Sequence, residues 1–209
     1  MKQVVVHPER CVGCMQCMLA CAVAHSKSKN LYGAMLESPR PRSRIHVGVG
    51  AGYAGFPNRC RHCNPAPCLT GCLPGAIFWA QDIETVLIDP DKCINCGSCA
   101  MACPYGVLRF HCDFAAPPNK KVAVKCDNCY ERQSKGLIPA CVETCKVGAL
   151  TFEELDTALK RKTDEVSHSI IQSAKEDASF SKSYSLLKIA KAGQSELRHR
   201  EVSLGGSTK

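Results

Sequence analysis

Cysteine dominates the chemistry that this sequence could perform. The stretch CINCGSCAMAC, Cys93–Cys103, places four thiols at the spacing C-x2-C-x2-C-x3-C. Sixteen of the seventeen cysteines fall into four groups of related spacing, and Cys112 lies outside them. The groups are Cys11, Cys14, Cys17 and Cys21; Cys60, Cys63, Cys68 and Cys72; Cys93, Cys96, Cys99 and Cys103; and Cys126, Cys129, Cys141 and Cys145. Thiols at this density serve disulfides, metals or redox chemistry.

Disulfides are the first alternative, and they depend on the compartment. No hydrophobic signal-peptide core follows MKQVVVHPERC, and no run approaches the roughly 18 apolar residues of a membrane span. We therefore expect a cytoplasmic protein, in which thiols stay reduced and serve metals or redox chemistry. Export together with a partner subunit stays open.

Iron–sulfur clusters account for the spacing better than zinc does. Zinc prefers a tetrahedral set assembled from two separated pairs. Three thiols of a C-x2-C-x2-C loop instead bind three corners of an iron–sulfur cube, and the fourth cysteine ligates the other cluster of a two-cluster module. The first and third groups carry this signal, whereas the second and fourth are ambiguous alone.

The number of thiols indicates clusters in which every iron has a cysteine ligand. Sixteen cysteines supply four thiolates to each of four [4Fe-4S] clusters. A catalytic cluster usually needs an exchangeable position, and none is left here. We therefore expect an electron-transfer protein without a substrate site of its own, not an enzyme. An iron–sulfur redox sensor is the alternative class, although a sensor gains nothing obvious from four complete sites.

Short β-rich segments lie beside the cysteine groups and predict small sheets. They are residues 3–6, 76–80, 85–89, 107–110, 122–125 and 149–152. Three groups continue as CLPGAI, CPYGVL and CKVGAL, in which the glycine is expected to turn a short cysteine-bearing helix into the next strand. This internal repeat predicts an α+β fold of two ferredoxin-like double-cluster modules with small β-sheets.

The composition changes after Phe152, where cysteine disappears. Thr151 and Glu154 form a candidate capping box, and a second helix is predicted over 183–200 with a break at Gly193. Apolar residues at helical spacing follow the box: Leu155, Leu159, Val166 and Ile170.

These patterns predict the domain organisation. A four-cluster domain spans 1–152, with an inner module over 60–110 and an outer module formed by 1–59 with 111–152. A helical C-terminal extension spans 153–209, and its end is expected to be disordered.

The formal net charge of +8 at neutral pH overstates the charge of the loaded protein. Four oxidised clusters with four thiolates each carry about −2 apiece, which brings the total close to zero. Nucleic acid is therefore not an expected partner. The GAGYAG stretch matches a dinucleotide fingerprint in spacing alone, because Pro57 and Cys60 follow it instead of a helix.

Several residues outside the four groups have two interpretations. His62 and His111 either hydrogen-bond to cluster sulfur or serve ordinary packing. Cys112 is expected to be a small buried residue beside a strand. A docking site for an acidic partner and an ordinary solvated face both fit the basic residues Lys27, Lys29, Arg40, Arg42 and Arg44.

Two stretches carry a resemblance to a known family. PNRCRHCNPAPCLTGC, Pro57–Cys72, and CDNCYERQSKGLIPACVETC, Cys126–Cys145, resemble the second and fourth cysteine motifs of the four-cluster electron-transfer subunits of the DMSO reductase, formate dehydrogenase and hydrogenase type. The resemblance covers about residues 1–152. One departure is that Cys103 alone is followed directly by proline, which affects turn geometry more than ligation.

The resemblance implies a set of ligands for each cluster, because in that family the first motif pairs with the fourth and the second with the third. Cluster A would take Cys11, Cys14, Cys17 and Cys145, and cluster B would take Cys126, Cys129, Cys141 and Cys21. Cluster C would take Cys60, Cys63, Cys68 and Cys103, and cluster D would take Cys93, Cys96, Cys99 and Cys72.

The segment Cys17–Val47 is similar to the CooF type, the iron–sulfur subunit that takes electrons from nickel carbon monoxide dehydrogenase. The run AVAHSKSKNL and the P-R-x-R stretch after it carry this similarity. It implies carbon monoxide dehydrogenase as the catalytic partner, with a hydrogenase or NAD(P) oxidoreductase as acceptor. The alternative is a subunit of a molybdenum or tungsten aldehyde or formate oxidoreductase. No membrane span is expected, and docking to a membrane-bound complex stays open.

Overall fold

The computed structural model of the chain describes residues 2–50 and 55–176. Short elements dominate this part of the chain. The strands are β1 (Lys2–Val6), β2 (His46–Val49), β3 (Gly55–Asn58), β4 (Ile77–Ala80), β5 (Thr85–Ile88), β6 (Arg109–Cys112), β7 (Lys121–Val124) and β8 (Leu150–Glu154). The helices are α1 (Gln16–Ala24), α2 (Leu31–Leu36), α3 (Pro67–Thr70), α4 (Ser98–Ala102), α5 (Tyr130–Gln133), α6 (Ala140–Glu143) and α7 (Leu155–Glu176).

The strands form four two-stranded antiparallel sheets. Three of them are local: β2 pairs with β3, β4 with β5, and β6 with β7. The fourth sheet pairs β1 with β8, so that Val4 lies opposite Phe152. Mixed short helices and small antiparallel sheets are the α+β architecture that the sequence predicts.

Each predicted β segment corresponds to a strand, but one strand is displaced and two were missed. The segment predicted at 107–110 is displaced, because Val107 and Leu108 are buried ahead of β6, which begins at Arg109. The β2–β3 pair escaped prediction because HVGV and GFPN contain glycine and proline, which are depleted in strands. Pro57 is tolerated because each strand of a two-stranded sheet has a free edge.

The chain divides into two units, one ending at Leu155 and one beginning at Asp156. Helix α7 follows the spacing of Leu155, Leu159, Val166 and Ile170 as predicted. The predicted capping box is wrong, since Thr151 and Glu154 both belong to β8. The helix predicted over 183–200 lies outside the described residues. Within 2–50 and 55–176, no helix combines the length and apolar character that crossing a membrane requires.

Cysteines form part of the hydrophobic core of the first unit. One group of packed residues combines Cys68, Cys93 and Cys99 with aliphatic side chains such as Ile77 and Val86. A second group combines Cys21 and Cys141 with Val4, Ile45 and Leu150. The interior of this unit is therefore built from thiols together with aliphatic side chains.

Candidate iron–sulfur centres

The four cysteine groups begin with loops that share one backbone feature. The residue before the second cysteine has a positive φ in each group: Gly13, His62, Asn95 and Asn128. A left-handed residue turns the chain sharply, which lets the flanking cysteines approach each other. In the first and third groups a helix then begins, and it carries the third cysteine in its first turn, Cys17 in α1 and Cys99 in α4.

A glycine follows the fourth cysteine in three of the groups. Gly75, Gly106 and Gly148 each lie three residues after the fourth cysteine and have φ values of +65°, +58° and +64°. Each glycine N–H donates to the carbonyl of that cysteine, at N···O distances between 3.0 and 3.4 Å. The chain then enters β4, β6 or β8. The predicted turn from cysteine-bearing segment to strand is confirmed at all three glycines.

Two cavities in the first unit are each lined by four thiols. The Cys93 cavity contains Cys72 beside three thiols of the third group, namely Cys93, Cys96 and Cys99. The Cys60 cavity contains Cys103 beside three thiols of the second group, namely Cys60, Cys63 and Cys68. Each cavity thus combines three cysteines of one group with the fourth cysteine of the other group.

The remaining thiols influence one another electrostatically. Burial raises the pKa of Cys17 to about 11. The thiols that add to this effect are Cys14, Cys11 and Cys145. Burial also raises the pKa of Cys21 well above its usual value. The thiols that add to the effect at Cys21 are Cys126, Cys129 and Cys141. Raised pKa values mean that the thiolate forms of these cysteines are unfavourable without a nearby positive charge. A bound metal stabilises its ligands as thiolates, so these groups of thiols suit a metal cofactor.

Two buried cationic side chains, Arg59 and Lys125, lie near the thiols and bear on whether a negatively charged cluster fits there. Arg59 is 1% exposed and Lys125 is 3% exposed. Neither pairs with a carboxylate in the described part of the chain, and the Nε of Arg59 has no hydrogen-bond partner there. Both cations lie close enough to Cys60 to lower its pKa against the larger effect of burial. A buried cation needs a counter-charge, and a [4Fe-4S] cluster with four thiolates supplies about −2. The residues present therefore fit this cofactor.

Backbone amides point at three of the cysteine sulfurs. The N–H of Arg44 donates to Cys21 Sγ at 3.2 Å, and the N–H groups of His62 and Ala123 donate to Cys60 Sγ and Cys93 Sγ at 3.4 Å. Hydrogen bonds to cluster sulfurs are one of the means by which a protein sets a reduction potential.

Arg44 has a role that sequence reasoning missed. Its guanidinium donates to Asp127 at 2.8 Å and to Asp113 at 3.2 Å, and its side chain is 13% exposed. Asp127 also accepts a bond from His25 Nε2 at 2.9 Å. Arg44 is therefore a partly buried counter-ion and not a solvated surface cation. Asp127, an acidic residue inside the C-D-N-C motif, is the sequence signal that could have indicated it.

Cys112, His62 and His111 do not line either of the two thiol-lined cavities. Cys112 is half-buried in β6, opposite Lys121, and lines neither of the two cavities. His62 and His111 are buried, and the ring nitrogens of His111 have no hydrogen-bond partner in the described structure, whereas the backbone of Val86 lies close to the ring of His62. Burial lowers the pKa of His62 well below its usual value, so its ring is neutral.

Comparison with known families agrees with this donor set. Residues 52–155 match the 4Fe-4S dicluster domain, and residues 8–24 match a 4Fe-4S binding domain. These two regions contain all four cysteine groups. The chain is thus an iron–sulfur protein whose sixteen grouped cysteines are consistent with four [4Fe-4S] clusters.

Similar proteins define the family more closely. An iron-sulfur protein of Rhodospirillum rubrum is 36% identical over 156 residues, which cover 72% of this chain and 80% of that protein. The B subunit of the anaerobic dimethyl sulfoxide reductase of Escherichia coli is 33% identical over 165 residues, which cover 76% of each protein. This chain belongs to the 4Fe-4S dicluster family that includes both proteins. UacF of E. coli is 36% identical over 194 residues, but the chain spans only 27% of its length.

Proposed function

We propose that this protein is an electron-transfer subunit that carries single electrons between a catalytic oxidoreductase and a second enzyme. Its ligand sets are proposed to be those of clusters A to D as defined above. The observation that carries the proposal is the pair of cavities, each bounded by thiols of two different groups in the combination that clusters C and D require.

The chemistry follows from complete ligation. Bound [4Fe-4S] clusters would supply one-electron transfer without bond chemistry. Sixteen cysteine ligands would saturate the irons of four clusters and would leave no exchangeable position for a substrate. The protein's own part is to hold the clusters, to exclude water from them, and to set their potentials through hydrogen bonds and nearby charges.

Nickel carbon monoxide dehydrogenase is the proposed electron source, with a hydrogenase or NAD(P) oxidoreductase as acceptor. The support for this partner is the similarity of Cys17–Val47 to the CooF type. In the structure this segment contains α1 and α2, and through Arg44 it reaches the Asp127 carboxylate of the fourth cysteine group. A partner that binds this segment would thus lie against the proposed cluster B.

A molybdenum or tungsten oxidoreductase is the second candidate for the catalytic partner. The observation that favours it is the similarity to the B subunit of the anaerobic dimethyl sulfoxide reductase over 76% of both proteins. Both candidates require the same four-cluster subunit, and they differ in the metal of the catalytic enzyme.

Anaerobic purification of the native complex tests the proposal, with mass spectrometry of the bound proteins and a count of metals. Nickel together with a carbon monoxide dehydrogenase subunit is the expected result. Molybdenum or tungsten with a pterin enzyme would replace the first partner by the second. A protein that loses its clusters rapidly with a conformational change, and that binds no oxidoreductase, would contradict electron transfer and favour a sensor.

A further inference from the structure

The two thiol-lined cavities differ in charge. The Cys60 cavity is lined by the cationic side chains of Arg61 and Lys125 in addition to its thiols. The Cys93 cavity is lined by no charged side chain of the described residues, and its wall contains apolar groups such as Ile77, Ile88 and Phe110. Both cavities offer four thiols, so the cations are the main electrical difference between them.

Lys125 is fixed in the wall of its cavity. Its ammonium group donates to the carbonyl of Val86 and, at 3.2 Å, to the carbonyl of Cys126. An ammonium group has three N–H donors. The third donor has no acceptor in the protein among residues 2–50 and 55–176. One N–H thus remains for whatever occupies the cavity.

Arg61 adds a second positive charge at the edge of the Cys60 cavity. Its guanidinium lies over the rings of Phe56 and Tyr105, at 5.8 and 5.2 Å from their centres. Arg61 is half-buried whereas Lys125 is fully buried, so solvent screens Arg61 more strongly. Lys125 is therefore the stronger of the two influences on the cavity.

We propose that Lys125 raises the reduction potential of the cluster in the Cys60 cavity above that of the cluster in the Cys93 cavity. This inference rests on the proposed four-cluster function and adds to it an order of the two inner potentials. Reduction makes a cluster more negative by one charge, so a nearby buried cation stabilises the reduced form. Hydrogen bonding from the third N–H to cluster sulfur acts in the same direction.

Transfer of one electron between clusters in the two cavities would conserve charge without any other reactant. One electron leaves the Cys93 site, whose charge returns from about −3 to about −2, and it enters the Cys60 site, whose charge goes from about −2 to about −3. No bond forms or breaks, and no proton is required.

The test is an anaerobic redox titration of Lys125→Met, followed by electron paramagnetic resonance, after an iron count has shown four clusters. The midpoint potential of the Cys60 site is expected to become more negative, and by more than that of any other cluster, since Lys125 also contacts the backbone of Cys126, a proposed ligand of cluster B. Lys121→Met is the matched control, because Lys121 is an exposed lysine on β7, the strand that ends directly before Lys125, and its replacement is expected to leave all four potentials unchanged. A fully loaded Lys125→Met protein with unaltered potentials overturns the proposal.

The order of the potentials gives a second test that does not depend on the stability of Lys125→Met. In the protein with Lys125 intact, Cys63→Ser and Cys96→Ser each alter one signal and so assign the two inner clusters. The Cys60 site is expected to have the higher potential, and the reverse order refutes the role of Lys125. A wild-type chain without four reversibly reducible clusters would instead contradict the proposed function.

Discussion

Individual backbone atoms limit how closely the chain wraps around the first cysteine group. A Cβ at Gly55 would lie 2.8 Å from Cys11 Sγ and 2.9 Å from both Cα and N of Gly13. Two of these atoms belong to backbone, which cannot move aside as a flexible side chain does. Glycine at position 55 therefore allows β3 to lie against the loop of Cys11.

We expect Gly55→Ala to displace the Cys11 loop and to remove cluster A. The iron count per chain should fall from about sixteen to about twelve. Gly48→Ala is the matched control in the paired strand β2, because the nearest atom to its Cβ would be 4.0 Å away. A Gly55→Ala protein that retains all its iron would show that the loop can shift without losing its cluster.

Among the elements, the hairpins are too short to be stable alone. Two-stranded sheets are marginal in water, and β2 through β7 contain four residues each. Contacts between elements must therefore hold them in place. The ion pairs of Arg44 connect the segment before β2 with Asp113 after β6 and with Asp127 in the fourth cysteine group.

Arg44→Met should lower the midpoint of anaerobic thermal unfolding by about 6 °C, because it removes the guanidinium that pairs with two partly buried carboxylates and leaves Asp127 with His25 alone. Arg42→Met removes an exposed arginine two residues earlier in the same segment and should leave the midpoint unchanged. Equal midpoints for the two variants would mean that the Arg44 pairs contribute no more than surface charges do.

Across the whole molecule, cysteine has the role that large apolar residues have in an ordinary core. All seventeen cysteines are free, and eight of them are buried: Cys21, Cys60, Cys68, Cys93, Cys99, Cys126, Cys129 and Cys141. The fold and the cofactors should therefore be gained or lost together, as in other small proteins stabilised by metal.

Two cysteine variants separate the grouped thiols from the ungrouped one. Cys112→Ser should keep about sixteen iron atoms per chain, whereas Cys96→Ser should lose or alter one cluster, as measured by iron analysis and electron paramagnetic resonance. Loss of a cluster in Cys112→Ser would instead make Cys112 a ligand and would require a different division of the sixteen grouped thiols.

The sequence was most informative where chemistry imposes spacing. The cysteine groups predicted the cofactor class, and the glycines after Cys72, Cys103 and Cys145 predicted turns that the structure contains. Long-range contacts were not accessible in this way. The acidic Asp127 inside the C-D-N-C motif indicates that a cation is needed, but nothing local identifies Arg44, 83 residues away, as that cation. Nor does the sequence indicate that Lys125 would line a cavity of the second and third groups.

Local propensity also misled in identifiable places. Thr151 and Glu154 have the spacing of a capping box, but pairing of β8 with β1 extends the strand through Glu154. His46–Val49 and Gly55–Asn58 have poor strand composition, yet they pair because the surrounding fold brings them together. In both cases tertiary contacts outweighed the preference of the segment.

The pairing of β1 with β8 has a consequence for biosynthesis. Val6 lies opposite Leu150, so β1 is synthesised well before β8, the strand with which it pairs. The thiols that line the two cavities all lie between Cys60 and Cys103 and are complete much earlier in translation. Maturation therefore has a natural order, in which the inner sites can be filled first and the outer sites close only once the chain has been synthesised through β8.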